Sequence, residues 1–225
     1  MPPPSPARAP RTDVPGRDRR AGVTSVGLLL FDGCDVIDVA GPYEVLLTAN
    51  RLVTRRGGDA PFAVDTHSVD GEPVTGFGGL GLSPSRGAIA EAGPLDVLIV
   101  PGLIDLGAIA DMAEVTETVC ALDPSVDIVV GVCTGAFLLH AAGVLGDAAA
   151  TTHWEDVRVL DELRDGGSTR DDVRWVDAGH VVTSGGMTSG IAMALHLVER
   201  LVDGALAQAT AAQIDYVWTE QRPTS

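Results

Sequence analysis

The clearest hydrophobic pattern in the chain is a short apolar run that ends at a cysteine. Residues 128–132 read Ile-Val-Val-Gly-Val, and four of these five are β-branched, which is typical of a strand covered on both faces. Residues 136–142 are mainly small and apolar, and they are compatible with a helix. The pattern therefore predicts a buried strand that turns abruptly into a helix, with Cys133 at the turn.

Other apolar runs along the chain alternate with helical patterns. Strands are predicted at residues 26–31, 62–69 and 96–100, a hairpin or edge at 74–82, and a second hairpin at 173–183. Helices are predicted at residues 39–52, 109–122, 155–164, 191–202 and 205–217. Strands that alternate with helices predict an α/β fold with a mostly parallel sheet between helices, and functional sites at the carboxyl ends of the strands.

The chain is predicted to fold as a single domain over residues 23–220. Its 225 residues, 45% of them hydrophobic, suffice for one well-buried core. Residues 1–22 are rich in proline and arginine and lack the apolar part of a secretory signal, so they are predicted to form a disordered tail. No apolar run approaches the roughly 18 residues of a membrane-spanning helix, which predicts a soluble protein with no membrane partner.

Composition narrows the possible partners and the compartment. The formal net charge is −16, so the folded body is expected to repel phosphate, and nucleic acid is not an expected partner. The three cysteines are widely spaced, which fits a reducing cytoplasm better than a disulfide framework. The five histidines form no metal-binding pattern, so no metal site is predicted.

The glycines around Cys133 identify it as the candidate nucleophile. Residues 131–135 match the G-x-nucleophile-x-G pattern, in which a strained turn exposes the central side chain and larger side chains at the glycines would crowd the turn. The positive end of the following helix is expected to lower the pKa of the thiol below its free value of about 8.5. The alternative is a buried packing cysteine, which is the role predicted for Cys34 and Cys120 because they lack such a frame.

Five motifs occur in an order that is known from one superfamily. They lie at residues 31–45, 100–102, 132–135, 151–154 and 185–191. On these motifs the chain resembles the PfpI-like (class I glutamine amidotransferase-like) superfamily, above all its isocyanide (isonitrile) hydratase branch. It also resembles the sensor half of AraC-type transcription regulators. The resemblance covers about residues 23–220, which is nearly the whole chain apart from the tail.

The resemblance implies a flavodoxin-like three-layer sandwich, a homodimer and Cys133 as the nucleophile. It also implies that Asp38 is the acidic partner that hydrogen-bonds the sulfur. An acid beside a thiolate must keep its own proton, because two adjacent anions repel, and Asp38 could then donate that proton to a substrate and later activate water. From the residues alone, Asp38 is equally well explained as a helix-capping or loop aspartate.

Further site residues follow from the same resemblance. Thr134 is expected to offer its backbone N–H to a developing anion, together with an N–H from the loop that holds Gly102 and Leu103. Leu103 is a departure, since related chains usually have a second glycine there. His153 follows the candidate nucleophile by twenty residues, where the superfamily often places a histidine near the site; a structural histidine is an equal alternative. Ala192 is a second departure, at a position where hydratase-like sequences often have aspartate.

The resemblance implies an enzyme that acts on a small-molecule substrate without a cofactor. The expected reaction is that of a hydro-lyase, in which an isocyanide and water give an N-substituted formamide. A redox or ligand sensor of the same fold without turnover stays open; a full regulator would need a helix-turn-helix domain after this body, so the chain is expected to be free-standing or truncated. An amidase- or deglycase-type hydrolase is less expected, because those relatives tend to carry histidine where this chain has Thr134.

Overall fold

The computed structural model describes residues 22–164 and 167–222. The predicted tail therefore lies outside the described residues, apart from the exposed Gly22 at its end. None of the helices in the described ranges is long and apolar enough to span a membrane.

Six strands form the central sheet. Across the sheet they follow the order β2 (Phe62–Ser68), β1 (Thr24–Leu30), β5 (Val97–Val100), β6 (Ile128–Val132), β8 (Val181–Ser184) and β7 (Trp175–Asp177). Neighbouring strands are parallel except β7, which pairs antiparallel with β8 through the predicted second hairpin. The short strands β3 (Val74–Thr75) and β4 (Gly81–Leu82) form the predicted first hairpin. Every residue of β5 and β6 is buried, because these apolar strands lie at the centre of the sheet.

The helices form two groups around the sheet. Their bounds are α1 (Val36–Thr54), α2 (Ala113–Leu122), α3 (Gly135–Ala141), α4 (Val157–Leu163), α5 (Ser189–Leu201) and α6 (Gly204–Gln213). Helices α1, α5 and α6 pack against one another, while α2 packs against α3, which follows β6 directly. The predicted α/β architecture, a mostly parallel sheet with helices around it, is confirmed.

The start of α1 differs from the prediction in a way that affects the site. Asp35 caps the helix, because its Oδ1 accepts a hydrogen bond from the N–H of Ile37 at 3.1 Å, and α1 therefore begins at Val36 instead of residue 39. Asp38, expected in the loop, lies in the first turn of the helix. Because the helix begins early, Pro42 lies inside α1, where it has no N–H to donate to the preceding turn.

Two other predicted helices are shorter than expected. A 3₁₀ helix at Leu106–Asp111 precedes α2, so the predicted helix at 109–122 begins as an α-helix only at Ala113. The last helix ends at Gln213 instead of residue 217. Residues 214–222, called the C-terminal segment below, then run beside residues 172–174. There the N–H of Arg174 donates to the carbonyl of Glu220 at 2.8 Å.

Candidate active site

Cys133 lies at a sharp turn between β6 and α3. Its φ is +56°, a left-handed conformation that is uncommon and strained for a residue with a side chain. Two hydrogen bonds hold the turn in place: the N–H of Cys133 donates to the carbonyl of Ser184 at 3.1 Å, and the hydroxyl of Thr152 donates to the carbonyl of Cys133 at 2.9 Å. The predicted elbow is therefore present and is fixed from both neighbouring segments.

The glycine frame around the elbow has a steric cause. A Cβ at Gly131 would lie 3.0 Å from the backbone nitrogen of Ala136, and a Cβ at Gly135 would lie 2.5 Å from the carbonyl oxygen of Val100. The distance at Gly135 is too short for any real Cβ atom and that at Gly131 is tighter than most, and in both cases the obstacle is backbone. The requirement for glycine on either side of Cys133, expected from the pattern, is confirmed.

Asp38 is fully buried beside this elbow. Its Oδ2 accepts a hydrogen bond from the N–H of Gly102 at 3.1 Å, while its Oδ1 has no hydrogen-bond partner among the described residues. Burial raises the pKa of Asp38 to about 7, and the nearby carboxylate of Asp35 adds to the rise. Hydrogen bonds from Gly102, from the thiol of Cys133 and from the backbone of Met187 act in the opposite direction. Asp38 can therefore gain or lose a proton near neutral pH.

Gly102 brings the loop after β5 against both Asp38 and the start of α3. A Cβ at this position would lie 2.5 Å from Oγ1 of Thr134, 2.8 Å from the Thr134 backbone nitrogen and 2.9 Å from Oδ2 of Asp38. Only glycine allows this approach, and without it the carboxyl group of Asp38 would lose its N–H donor.

Thr134 and Leu103 bind each other through two buried hydrogen bonds. The N–H of Leu103 donates to Oγ1 of Thr134 at 2.8 Å, and that hydroxyl donates to the carbonyl of Leu103 at 2.6 Å. The N–H of Gly102 is bound to Asp38, so both amides expected to receive a developing anion are already occupied within the protein. The anion site expected at this loop is therefore not formed; of the amides assigned to it, only that of Thr134 hydrogen-bonds Cys133.

The thiol of Cys133 differs electrostatically from the prediction. Burial raises its pKa, and the negative charge of Asp38 raises it further. Backbone hydrogen bonds from Thr134 and Met187 oppose this rise in pKa, but their effect is weaker than that of burial. The expected lowering by the helix end was wrong, because α3 has only seven residues and the sulfur lies in a buried, acidic environment. Little thiolate therefore forms at neutral pH, and a base that accepts the thiol proton during the reaction would assist attack on a substrate.

The loop at residues 185–188 closes over the sulfur, and the sequence analysis did not assign it to the site. Met187 has φ +55°, and its backbone hydrogen-bonds both Asp38 and Cys133. A Cβ at Gly186 would lie 2.9 Å from Sγ of Cys133 and would overlap Cδ2 of His153. The signal was present in the Gly185-Gly186 pair before α5, which leaves room for the thiol and the imidazole to flank one glycine.

His153 lies next to the site, as its spacing suggested. Its ring flanks Gly186, and its Nδ1 lies 3.6 Å from Oδ2 of Asp156 and 3.8 Å from Oε2 of Glu155. These contacts involve Nδ1, while Cδ2 of the ring flanks Gly186, and this position is compatible with both a structural and an accessory role. His140 is partly buried at the end of α3, and burial lowers its pKa.

The C-terminal segment supports the loop that covers the sulfur. The hydroxyl of Tyr216 donates to the carbonyl of Thr188 at 2.9 Å, and Arg174 donates to the same hydroxyl. Farther along, the guanidinium of Arg222 lies 5.4 Å from the centre of the Trp154 ring, next to His153. Residues remote in sequence therefore fix the position of residues 185–188.

The remaining cysteines do not join the site chemistry. Cys34 is buried and Cys120 is exposed, and both are free. Within the described ranges, no cluster of three or more histidine, cysteine or acidic residues could hold a metal ion.

An α/β sheet with a cysteine elbow beside a buried carboxyl group defines a distinct class of protein, and comparison with known proteins gives the family. The model of the DJ-1/PfpI family matches residues 24–200, and the chain belongs to this family. It is 33% identical over 193 residues to the isonitrile hydratase of Pseudomonas putida, which covers 85% of this chain and 78% of that protein.

Two other similar proteins are a transcriptional regulator and a protein of known structure. The HTH-type transcriptional regulator GbdR of Pseudomonas aeruginosa is 31% identical over 189 residues, which are 83% of this chain but only 48% of the regulator. A THiJ/PfpI family protein from Pseudomonas syringae has a similar solved structure, with a TM-score of 0.74, 24% identity, and coverage of 96% of this chain and 85% of that one. The proteins similar to this chain thus include one named as an enzyme and one named as a regulator.

Proposed function

We propose that this protein is a cysteine-dependent enzyme that hydrates isocyanides to N-substituted formamides without a cofactor. The observation that carries the proposal is the pairing of Cys133, on its elbow, with a buried Asp38 whose pKa is near 7. The identity of 33% to an isonitrile hydratase supports the same reaction. In this proposal Cys133 and Asp38 are the catalytic residues.

The first half of the proposed reaction uses Asp38 as a base and then as an acid. The carboxylate takes the thiol proton while the sulfur of Cys133 attacks the terminal carbon of the isocyanide. Asp38 then returns the proton to that carbon, which leaves a thioimidate with a carbon–nitrogen double bond. A base with a pKa near the working pH suits both steps, and the raised pKa of the thiol makes such a base necessary.

The second half of the reaction consumes water. Asp38 removes a proton from a water molecule as its oxygen adds to the thioimidate carbon, and Asp38 then delivers that proton to the nitrogen. The carbon–sulfur bond then breaks, the formamide carbonyl forms, and the hydroxyl proton restores the thiol. The balance is one isocyanide and one water giving one formamide. Thr134 and Met187 would support the sulfur through their backbone N–H groups.

Mass spectrometry after incubation with a panel of alkyl and aryl isocyanides tests this proposal. Formation of the matching formamides by the native chain, and not by Cys133→Ala, is the expected result. If none of the isocyanides is converted, the proposed reaction is wrong for this protein.

Ligand sensing without turnover is a second candidate, and the similarity to GbdR favours it. Redox sensing is less well supported than ligand sensing, because a thiol with a raised pKa forms little thiolate and oxidises slowly. A sensor predicts binding of a small molecule to the Cys133 site with no product, which calorimetry on the same isocyanide panel would detect. The geometry of the site gives no further support to an amidase- or deglycase-type hydrolase. The expected homodimer and cytoplasmic location stay predictions.

A further inference from the structure

A second buried carboxyl group, Asp35, lies next to Asp38 at the start of α1. Asp35 is the N-cap residue and Asp38 is the third residue of the helix, so the two are three positions apart and occupy neighbouring places on one face. Asp35 is 8% exposed and Asp38 is 0% exposed. Two acidic side chains in so little solvent are unusual, because each charged form loses its hydration.

Both carboxyl groups have an oxygen that no hydrogen bond satisfies. Oδ2 of Asp35 and Oδ1 of Asp38 are buried without a partner among the described residues. Oδ1 of Asp35 accepts the capping bond from Ile37 at the N-terminus of the 19-residue helix α1, a position where the helix dipole stabilises negative charge. Asp38 is buried more completely, so the proton is held more easily there.

The Gly102 peptide separates this arrangement from an ordinary capping box. In a capping box the side chain of the third residue binds the N–H of the capping residue. Here the N–H of Asp35 donates to the carbonyl of Gly102 at 2.8 Å, and the N–H of Gly102 donates to Oδ2 of Asp38 at 3.1 Å. The carboxyl group of Asp38 is thereby directed toward the elbow and not into the cap.

The groups around Asp38 offer no positive charge to offset its neighbour. Asp35 lies on its own helix, Cys34 in the preceding loop and Cys133 on the elbow, while Gly102 and Met187 contribute backbone groups. None of the groups that act most strongly on Asp38 is a cation. His153 lies farther away, beyond Gly186.

From this geometry we propose that Asp35 is a positioning residue that makes Asp38 hold a proton near neutral pH. Two carboxylates in one buried place repel each other, so a charge on Asp35 strengthens Asp38 as a base. A carboxylate with an ordinary pKa of about 4 would be a poor base toward the thiol of Cys133. Asp35 thus acts on the reaction through Asp38 and touches neither sulfur nor substrate. The inference rests on the proposed proton-carrying role of Asp38, but its first test needs no turnover.

Infrared difference spectroscopy of Asp35→Asn tests the inference on the whole chain. The substitution keeps a good N-cap and removes only the charge. In the native chain, a protonated-carboxyl band that disappears in Asp38→Asn is expected to titrate near pH 7. In Asp35→Asn the same band should titrate about one pH unit lower. Asp32→Asn is the matched control, because Asp32 is exposed in the same loop and binds the N–H of Thr75 at 2.7 Å, and it should leave the band unchanged.

An unchanged titration of the Asp38 band in Asp35→Asn would overturn the inference, whether or not the protein turns over isocyanides. An equal shift in Asp32→Asn would also overturn it, because the effect would then be a general one of net charge. If the native chain is a hydratase, Asp35→Asn should also shift the rising limb of the pH–rate profile to lower pH and reduce the rate on the plateau. If isocyanide turnover is absent but the band shifts as expected, the proposed reaction is wrong. The inference that Asp35 acts on the protonation of Asp38 is then still supported.

Discussion

The N–H of Gly102 donates a 3.1 Å hydrogen bond to Oδ2 of Asp38 and so joins the loop after β5 to the first turn of α1. The same glycine has no room for a Cβ against Thr134, the residue that follows the nucleophile. One amide therefore holds the proposed proton carrier next to the elbow. It also stabilises the carboxylate form of Asp38, which burial alone would make very unfavourable.

The first prediction is that Asp38 destabilises the folded protein at neutral pH. Its pKa is about 7 in the folded chain and about 3.9 in the unfolded one, so between these values the folded chain binds more protons here. The contribution of Asp38 to the free energy of unfolding therefore falls as pH rises through this window and is lowest above pH 7. Asp38→Asn, which does not titrate, should gain stability over the native chain by up to about 4 kcal/mol at pH 8.

Urea unfolding of both chains at pH 5 and pH 8 measures this difference. The advantage of Asp38→Asn should be larger at pH 8 than at pH 5, while Asp32→Asn, with its exposed carboxyl group, should show no such trend. An equal advantage at the two pH values would mean that Asp38 is charged in the folded chain at both, contrary to a raised pKa.

A second prediction concerns the reactivity of the thiol. Because the charge of Asp38 raises the pKa of Cys133, Asp38→Asn should increase the thiolate fraction and speed up alkylation at pH 8. Peptide mass spectrometry after timed exposure to iodoacetamide follows each cysteine separately. The exposed Cys120 provides the internal control and should alkylate at the same rate in both chains. Slower alkylation of Cys133 in Asp38→Asn would show that Asp38 stabilises the thiolate, contrary to this account.

The third prediction is that Gly186→Ala damages the site more than the fold. The new Cβ would lie 2.9 Å from the sulfur and would displace the His153 ring, and both obstacles are side chains that can move. We expect at least a tenfold loss of kcat/KM, about 1.4 kcal/mol of transition-state stabilisation, with a small change in Tm. Gly81→Ala is the matched control, since a Cβ there meets open space. Full activity in Gly186→Ala would show that the space between Gly186, the sulfur and His153 does not matter for the reaction.

A fourth prediction tests the support from the C-terminal segment. Tyr216→Phe removes the hydrogen bond to the carbonyl of Thr188. This should lower the local stability of the loop at residues 185–188 by about 1 kcal/mol. Amide hydrogen exchange at residues 185–190 should become faster, while exchange in β5 and β6 stays unchanged. Tyr43→Phe, on α1, serves as the control for loss of a tyrosine hydroxyl. Equal exchange at residues 185–190 in all three chains would show that the segment does not hold the loop.

Most of the fold was predictable because its signals are local. Apolar β-branched runs mark β5 and β6, and the local pattern of glycines at 131 and 135 marks the elbow, although the obstacle to a Cβ at residue 135 is the backbone of Val100 on another strand. The early start of α1 was missed although Asp35 is a good N-cap, because the loop around it appeared continuous up to Asp38. The end of α6 was missed because the helix stops before a left-handed Asp215, with φ +55°, where no glycine signals the end of a helix in the sequence.

The electrostatics of the site were not predictable from local sequence. The pKa of Cys133 depends on how deeply the sulfur is buried and on a carboxyl group 95 positions earlier in the chain. The occupied amides of Gly102 and Leu103 depend on contacts between three separate segments. Motifs placed the correct residues in one site, but burial and hydrogen bonding decide which of them holds the proton.

The most direct test of the central claim measures two rates in Asp38→Asn, which are the rate of isocyanide turnover and the rate at which Cys133 is alkylated. Asparagine can still accept the Gly102 hydrogen bond, but it cannot carry a proton from the thiol to the substrate carbon. General acid–base help is typically worth about 10²–10⁴-fold, so formamide formation should fall by that factor while alkylation of Cys133 becomes faster. Cys133→Ala should lose both. If Asp38→Asn retains native turnover on an isocyanide that the native chain hydrates, Asp38 is not the proton carrier and the account is contradicted.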